Sequence, residues 1–574
     1  MTLRPVLLAT LAALATLASA PRPAAAQAAQ TQPQPQSQAQ PASSPVMEAL
    51  RERIEAINAS GQVAVQGELL RATRTLSQLY PMNGFQPLWD GPRLRELLKL
   101  IEETTADGLT PADYHLAGMQ ALMARGDGLA PLERASLDLL ASDAFSLILY
   151  HLYFGKVDPL SLDSNWNFET REITEQDALP FLYEAITAGR IRQSVDVVRP
   201  SHWMYQAGRE ALATYRGIAA RGGWQRIPEG TTLKVGMSDP RVPLLRQRLA
   251  VEGDLTAAGL AATPAPGADP NLYDAGLESA VKRAQRRYRL GADGVVGAGT
   301  LRALNVPVQQ RVDQLRVNLE RGRWVLHEVK DGDLVIVDIA GFLVRFVRDR
   351  KTVWESRTVV GQPYRQTPVF KATIDHVVLN PTWTVPPGIL EKDIMPSLRR
   401  NDRSVLARKR LKVLDRSGRP LNPAGIDFSQ YTARNFPFML RQDAGPDNAL
   451  GVVKIMFPNP HLVYLHDTPS KSLFDEDLRV FSSGCIRTER PLELAELLLG
   501  DPAKWNRGAL DAAVAVGETR TVRLPKKVPV LIIYWTADRD DDGTVVFKPD
   551  PYERDARELA ALNQPFRFGR RAKL

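Results

Sequence analysis

Two stretches decide the reading of this chain: Tyr464-Leu465-His466-Asp467-Thr468-Pro469 and Phe481-Ser482-Ser483-Gly484-Cys485-Ile486-Arg487. The second holds the only cysteine among 574 residues, set between serines, a glycine and the apolar run Pro491 to Leu499, which predicts a helix. A strand over Leu462 to His466 puts alternate residues on one face, so Tyr464 and His466 share a cleft while Val463 and Leu465 turn away. His461 lies five positions before His466, an odd separation that directs it elsewhere. No recognisable ligand spacing accompanies these histidines, and no metal site is expected.

A thiol near its ordinary pKa of about 8.5 is mostly protonated at neutral pH and needs a base or a positive field to become a nucleophile. His466 is the expected base. The helix opening after Thr488 would bring its positive end near Cys485, and Arg487 adds a full charge. The N–H groups around Gly484 and Cys485 are the expected oxyanion hole, with the Tyr464 hydroxyl as a further donor. A lone cysteine is more often a small buried hydrophobe. The polar neighbours, the histidine and the export segment described next weigh against that reading.

Met1 to Ala26 carries Arg4, a short apolar run and the small-residue ending Ala24-Ala25-Ala26, the pattern of a secretory signal peptide, removed on export or kept as an anchor. Residues 27–45 are almost wholly Gln, Pro, Ala and Ser, too polar to bury a core, and read as a disordered linker. A periplasmic location follows as the expectation. An exported single thiol has no intramolecular disulfide partner, which favours a reactive role. The net charge of +8 and pI near 9.4 then point to envelope polymers and anionic surfaces, not nucleic acid. Ala144 to Phe154 is apolar but short and reads as a buried helix, so membrane attachment is peripheral at most.

Working outward, 46–230 shows helical periodicity, as in Leu94, Leu97, Leu98 and Ile101 or Phe145, Leu149 and Leu152, and reads as a helical scaffold. A smaller unit at 237–306 has Val242, Leu245 and Leu249 on one helix and Leu277, Ala280, Val281, Ala284 and Tyr288 on another. The loop Ala261 to Pro270 lies between them, and the turn Asp293-Gly294-Val295-Val296-Gly297 leads to Thr300. Arg283, Arg286, Arg287 and Arg289 read as a solvated face.

From Asp331 the period becomes strand-like, in Leu334 to Ile339, Leu343 to Val347 and Ser356 to Val360, the start of a mostly β domain expected over 331–537. Residues 388–444 interrupt it as a basic, loop-rich insertion, a candidate lid. Its run Arg399, Arg400, Arg403, Arg408, Lys409 and Arg410 reads first as a solvated face and second as a contact for an acidic substrate. Val528 to Trp535 returns as a strand, and 538–574 reads as a hairpin that finishes the β domain, followed by a tail.

The His466 and Cys485 stretches resemble the signature of the L,D-transpeptidase (YkuD-type) catalytic domain. The unit at 237–306, through Val242, Leu245, Leu249, Gln285, Asp293, Gly294, Gly297 and Thr300, resembles the peptidoglycan-binding domain type 1. The whole chain is similar to the large periplasmic members, which join a helical scaffold, that three-helix module and a mostly β catalytic domain with a capping insertion. The approach Gln442 to Gly451, leading to Lys454 and Phe457-Pro458-Asn459, resembles the same subgroup. Smaller members usually carry histidine at position 483 and asparagine at 487, where this chain has Ser483 and Arg487.

The resemblance implies that Cys485 attacks the L-centre to D-centre bond between diaminopimelate and D-alanine of a tetrapeptide stem. His466 would act as base and then acid, Tyr464, Gly484, Ser483 and Arg487 would bind oxyanion or substrate, and a 3→3 cross-link would form without metal or organic cofactor. It implies peptidoglycan stems and glycan as partners, with other cell-wall synthesis proteins as further ones. Hydrolysis by an L,D-carboxypeptidase, transfer to a D-amino acid or protein, and a non-catalytic wall anchor stay open at this level.

Overall fold

The computed structural model describes residues 44–162, 167–168, 173–256, 269–329 and 332–568. The signal-like segment, nearly all of the linker, most of the loop 261–270 and the last residues of the tail lie outside these.

The N-terminal unit is built around one helix, Pro131–Phe154, most of whose residues are buried beneath the helices Pro45–Ser60, Thr73–Met82, Gly91–Glu103, Leu116–Met123 and Ile191–Val198. Among the described residues it is the one helix long and apolar enough to cross a membrane. Its polar residues explain why it sits in a protein core instead. Asp138 accepts from the Tyr80 hydroxyl (2.8 Å) and from the Leu88 and Trp89 amides (3.0 and 3.1 Å), and Ser142 receives the Trp89 indole N–H (2.9 Å). Asp138 and Ser142 thus satisfy the segment at Leu88 and Trp89 that crosses the helix.

In the second unit the residues of the Asp-Gly-x-x-Gly-x-x-Thr turn close around one side chain. Gln285 donates to Asp293 (2.7 Å), the Val295 carbonyl (3.0 Å) and Thr300 (3.2 Å), and accepts from the Gly294 amide (2.8 Å). Gly294 sits at φ +78°, where a side chain would be strained. The basic run beside it is not a solvated face throughout. Arg287 is buried on Asp254 (2.9 Å) and the Val545 carbonyl (3.0 Å), and Arg289 pairs with Asp540 (2.6 Å).

An 18-residue helix, Val308–Val325, joins this unit to the rest and is packed on all sides. Charged residues carry much of its burial. Arg323 pairs with Glu320 and donates to the Asp107 carbonyl (2.7 Å), while Arg321 pairs with Glu558 (2.7 Å) and Asp555 (2.8 Å).

The catalytic-domain candidate is one sheet of nine strands: β1 Leu334–Asp338, β2 Leu343–Arg348, β3 Lys351–Gly361, β4 Phe370–Leu379, β5 Val453–Met456, β6 Leu465–His466, β7 Val480–Ser482, β8 Ile486–Thr488 and β9 Arg520–Ile533. Their order is β7-β3-β8-β6-β5-β4-β9-β1-β2, and β2 also pairs with β3. That second pairing closes eight strands into a ring, in which the two halves of β3 serve β2 and β8, with β7 added at its end: Arg345 lies opposite Glu355, Arg487 opposite Val359 and Val480 opposite Val360. Closure leaves the ring no free edge to template another chain. Strand β9 begins eight residues earlier than Val528, because an irregularity between Arg523 and Val528 lets both halves pair with β4.

Two sequence expectations change here. The insertion is not loop-rich but a small folded body, with a four-stranded sheet from Trp383–Thr384, Lys412–Leu414, Pro420–Leu421 and Met439–Gln442 over its own core of Ile394, Leu398, Val413, Phe428 and Leu440. Its strands are two to four residues long, too short for a period to register in sequence. The hairpin Ala537–Arg539 with Val545–Phe547 does not finish the ring. It forms a separate ribbon whose Phe547 packs edge-on against Tyr215 (4.9 Å between ring centres), tying the helix Trp203–Ala220 to the β domain.

Candidate active site

The two opening stretches become adjacent parallel strands, β6 and β8, with Leu465 opposite Ile486 and His466 opposite Arg487. Leu465 and Ile486 are fully buried in the ring. Tyr464, His466, Cys485 and Arg487 therefore share its outer face, in accord with strand parity, and the Tyr464 and His466 rings meet edge-on at 5.7 Å.

The expected strand over Leu462 to His466 is only two residues long, because Leu462 adopts φ +56°. The break turns His461 onto Phe370 (4.9 Å between ring centres) and aims the Leu462 carbonyl at Cys485, whose Sγ donates to it at 3.7 Å. The Tyr464 amide and hydroxyl both point at the same sulfur. Burial and the neighbouring Cys485 push the Tyr464 phenol far above its ordinary pKa, so its hydroxyl stays a proton donor.

His466 Nδ1 donates to the Asp467 carbonyl at 2.5 Å, which leaves Nε2 as the basic nitrogen. Burial, then the charges of Arg487 and Lys454, lower the imidazole pKa to about 3. Burial raises the thiol above its usual value against the opposing pull of Tyr464, Lys454 and Arg487. The resting pair is thus a neutral thiol and a neutral imidazole, and no hydrogen bond joins Cys485 to His466 among the described residues.

The cysteine loop is held from three sides. Ser482 Oγ donates to the Cys485 carbonyl (2.5 Å) and accepts from the Gly484 amide (3.0 Å). Thr367 Oγ1 donates to the Gly484 carbonyl and accepts from the Gly361 amide, both at 2.9 Å, and the Tyr552 hydroxyl donates to the Gly361 carbonyl at 2.8 Å. Gly484 sits at φ +114°, a region that suits glycine, and its amide is already engaged. The Cys485 amide has no acceptor among the described residues, so the free donor lies one residue beyond Gly484.

Ser483 accepts from Arg365 (2.9 Å), which also makes a two-point pair with Asp393 of the insertion (2.7 and 2.8 Å). The helix expected to direct its positive end at Cys485 starts at Pro491, beyond β8. Three strand residues carry the chain about 10 Å, so that dipole does not act on the sulfur. Lys454 belongs in sequence to the approach motif. It stands opposite His466 on β5 with its ammonium 4.2 Å from the Tyr464 ring centre. Among the described residues no group of three or more His, Cys, Asp and Glu is arranged to hold a metal.

Comparison with known families follows this layout. Residues 332–532 match the L,D-transpeptidase catalytic domain. Residues 238–304 match the family described as "Putative peptidoglycan binding domain", and residues 74–212 match the scaffold domain. A Haemophilus influenzae protein named "Putative L,D-transpeptidase" is 34% identical over 251 residues, which is 44% of this chain and 50% of that protein. The chain thus spans about half the length of this curated relative.

Two crystal structures are also similar. An L,D-transpeptidase (residues 123–326) from Xylanimonas cellulosilytica is 14% identical, covering 53% of this chain and 99% of that one at a TM-score of 0.17. An L,D-transpeptidase (Yku) from Stackebrandtia nassauensis is 13% identical, covering 52% and 94% at a TM-score of 0.22. Scores that low carry no argument about fold. The L,D-transpeptidase match rests on the catalytic-domain family and includes all of β1 to β8 and nearly all of β9.

Proposed function

We propose that the protein is a peptidoglycan L,D-transpeptidase that forms 3→3 cross-links through a Cys485 thioester. The observation that carries this reading is the shared face of Tyr464, His466 and Cys485, with His466 Nε2 left basic by the Nδ1 bond to the Asp467 carbonyl. His466 takes the thiol proton as sulfur attacks the carbonyl between the L-centre and the D-centre of a tetrapeptide stem. The Cys485 amide and the Tyr464 hydroxyl receive the developing oxyanion, and Gly484, without a side chain, leaves the approach open. The imidazolium protonates the leaving amine, D-alanine departs, and the amine of a second stem attacks the thioester while His466 takes its proton. Peptidoglycan is the substrate, and the three-helix unit and the scaffold hold the chain on it. The signal-like segment supports a periplasmic location.

Because the resting thiol is protonated, base and nucleophile act together as substrate enters, and the thiolate is not preformed. Purified tetrapeptide muropeptides incubated with the protein should yield 3→3 dimers, detected by mass spectrometry. A carbapenem should add once, at Cys485. Cys485→Ala should lose both reactions while keeping its circular dichroism spectrum and its retention on peptidoglycan. Dimers made by that variant would overturn the mechanism, and monomeric tripeptide as the sole wild-type product would replace transfer by hydrolysis.

A further inference from the structure

Lys454, His466 and Arg487 stand in one row across β5, β6 and β8, since Lys454 lies opposite His466 and His466 opposite Arg487. Adjacent strands are about 4.8 Å apart, so the two cations flank the imidazole at roughly twice that separation, with Cys485 and Tyr464 beside them. Both cations are half-buried, and among the described residues neither has a carboxylate partner. The contrast with the rest of the molecule is sharp. Among the buried or half-buried cations elsewhere, Arg248, Arg287, Arg321, Arg323, Arg345 and Lys548 are paired with Asp or Glu, while Arg216, Arg311 and Arg479 have no carboxylate and donate to backbone carbonyls.

Charges taken from water without a partner are costly, and a cleft that keeps two of them is completed by a ligand that brings the counter-charge. Asp467, the nearest acid in sequence, turns to the opposite side, where it accepts from Lys471 (2.5 Å) and the Val452 amide (3.0 Å). The groups facing the row are Tyr464 and Cys485, and neither is anionic at rest.

We infer that Lys454 and Arg487 form a two-cation clamp for a carboxylate of the donor peptide, and that this carboxylate sets both substrate choice and the alignment of the scissile carbonyl over Cys485. The inference rests on the transpeptidase reading for the identity of the donor and on the row alone for its charge. A bound carboxylate would also neutralise the two charges that, after burial, hold the His466 imidazole below its ordinary basicity, so a donor lacking the carboxylate should lose turnover as well as affinity. The carboxylate has two possible sources, the C-terminus of the leaving residue or the side chain of the residue before it.

The single cysteine permits a test that does not depend on turnover. Cys485 of the full chain is alkylated with iodoacetate and with iodoacetamide, and the rate ratio is divided by that of N-acetylcysteine. The wild type should favour the anion. Lys454→Gln and Arg487→Gln should each lower the ratio by about threefold or more, Lys454→Arg should restore it, and a circular dichroism spectrum and Tm equal to wild type show that the fold is intact, the ratio itself cancelling any change in the thiolate fraction. Ratios equal to wild type in both Gln variants would overturn the clamp.

Donor tetrapeptides carrying a carboxamide at one position or the other then locate the carboxylate. The amide that raises KM and lowers kcat in the wild type should cost less in Lys454→Gln or Arg487→Gln. If neither amide penalty shrinks in either variant, the clamp does not hold the donor carboxylate and the inference fails. A wild type that prefers iodoacetate yet makes no product from any donor would instead refute the transpeptidase reading and leave the anion site standing.

Discussion

Residue by residue, the site is a balance between burial and neighbouring charge. Burial alone moves Cys485 and His466 in opposite directions, the thiol up and the imidazole down, and both shifts favour the neutral pair. The rate of iodoacetamide alkylation of Cys485 should therefore climb with pH and reach half its maximum above the ordinary thiol range. A plateau already reached between about pH 6 and 7 would reveal a preformed thiolate and imidazolium instead. Gly451, at φ +58°, is a second residue with a narrow role. A β-carbon there would lie 2.2 Å from the Asp467 carboxylate that anchors the stretch after His466. Gly451→Ala should cost about 2 kcal/mol or more in urea unfolding of the β domain, with slower carbapenem acylation as His466 shifts.

Among the elements, the insertion and the loop at Gln362 to Thr367 decide how the cysteine loop is held. Arg365 spans from Asp393 to Ser483, so the insertion is fastened to the residue two before Cys485. Asp393→Asn should weaken that fastening by about 1 kcal/mol, seen as roughly fivefold faster hydrogen exchange around residues 390–398 with exchange in β5 and β9 unchanged. Exchange equal to wild type would show that the insertion's apolar core alone holds it in place. Parity read from sequence placed Tyr464 and His466 together correctly, since two strand residues suffice to set alternation. It missed the turn at Leu462, because a positive φ in a leucine has no signature in residue type. The helix dipole assigned to Cys485 failed for a related reason: Ile486 to Thr488 pair with β6 and β3, and such long-range pairing is invisible in a local window.

Across the whole molecule, scaffold, small module and β ring share contacts instead of hanging from linkers. The helix Val308–Val325 and the helix Asp555–Leu562 meet through Arg321, Asp555 and Glu558, and the tail beyond reaches the scaffold at Tyr150 through Phe566 (5.4 Å) and Phe568 (5.1 Å). Glu558→Ala leaves Arg321 buried with one carboxylate in place of two and should cost about 3 kcal/mol, lowering Tm in calorimetry and loosening scaffold and β ring together. A shift confined to one transition would mean that the units unfold independently.

Sequence alone determined what is local: the helical periods of the scaffold, the Gln285 turn, the alternating strands and the shared face of Tyr464 and His466. Those features rest on spacing within one element, where a side chain's period or a turn's φ requirement is written in neighbouring residues. The tertiary structure decided what depends on distant partners: the closed ring, the folded insertion, the engaged Gly484 amide and the row that sets Lys454 and Arg487 on either side of His466. Lys454 precedes His466 by twelve residues and Arg487 follows it by twenty-one, and only the pairing of three strands makes them neighbours.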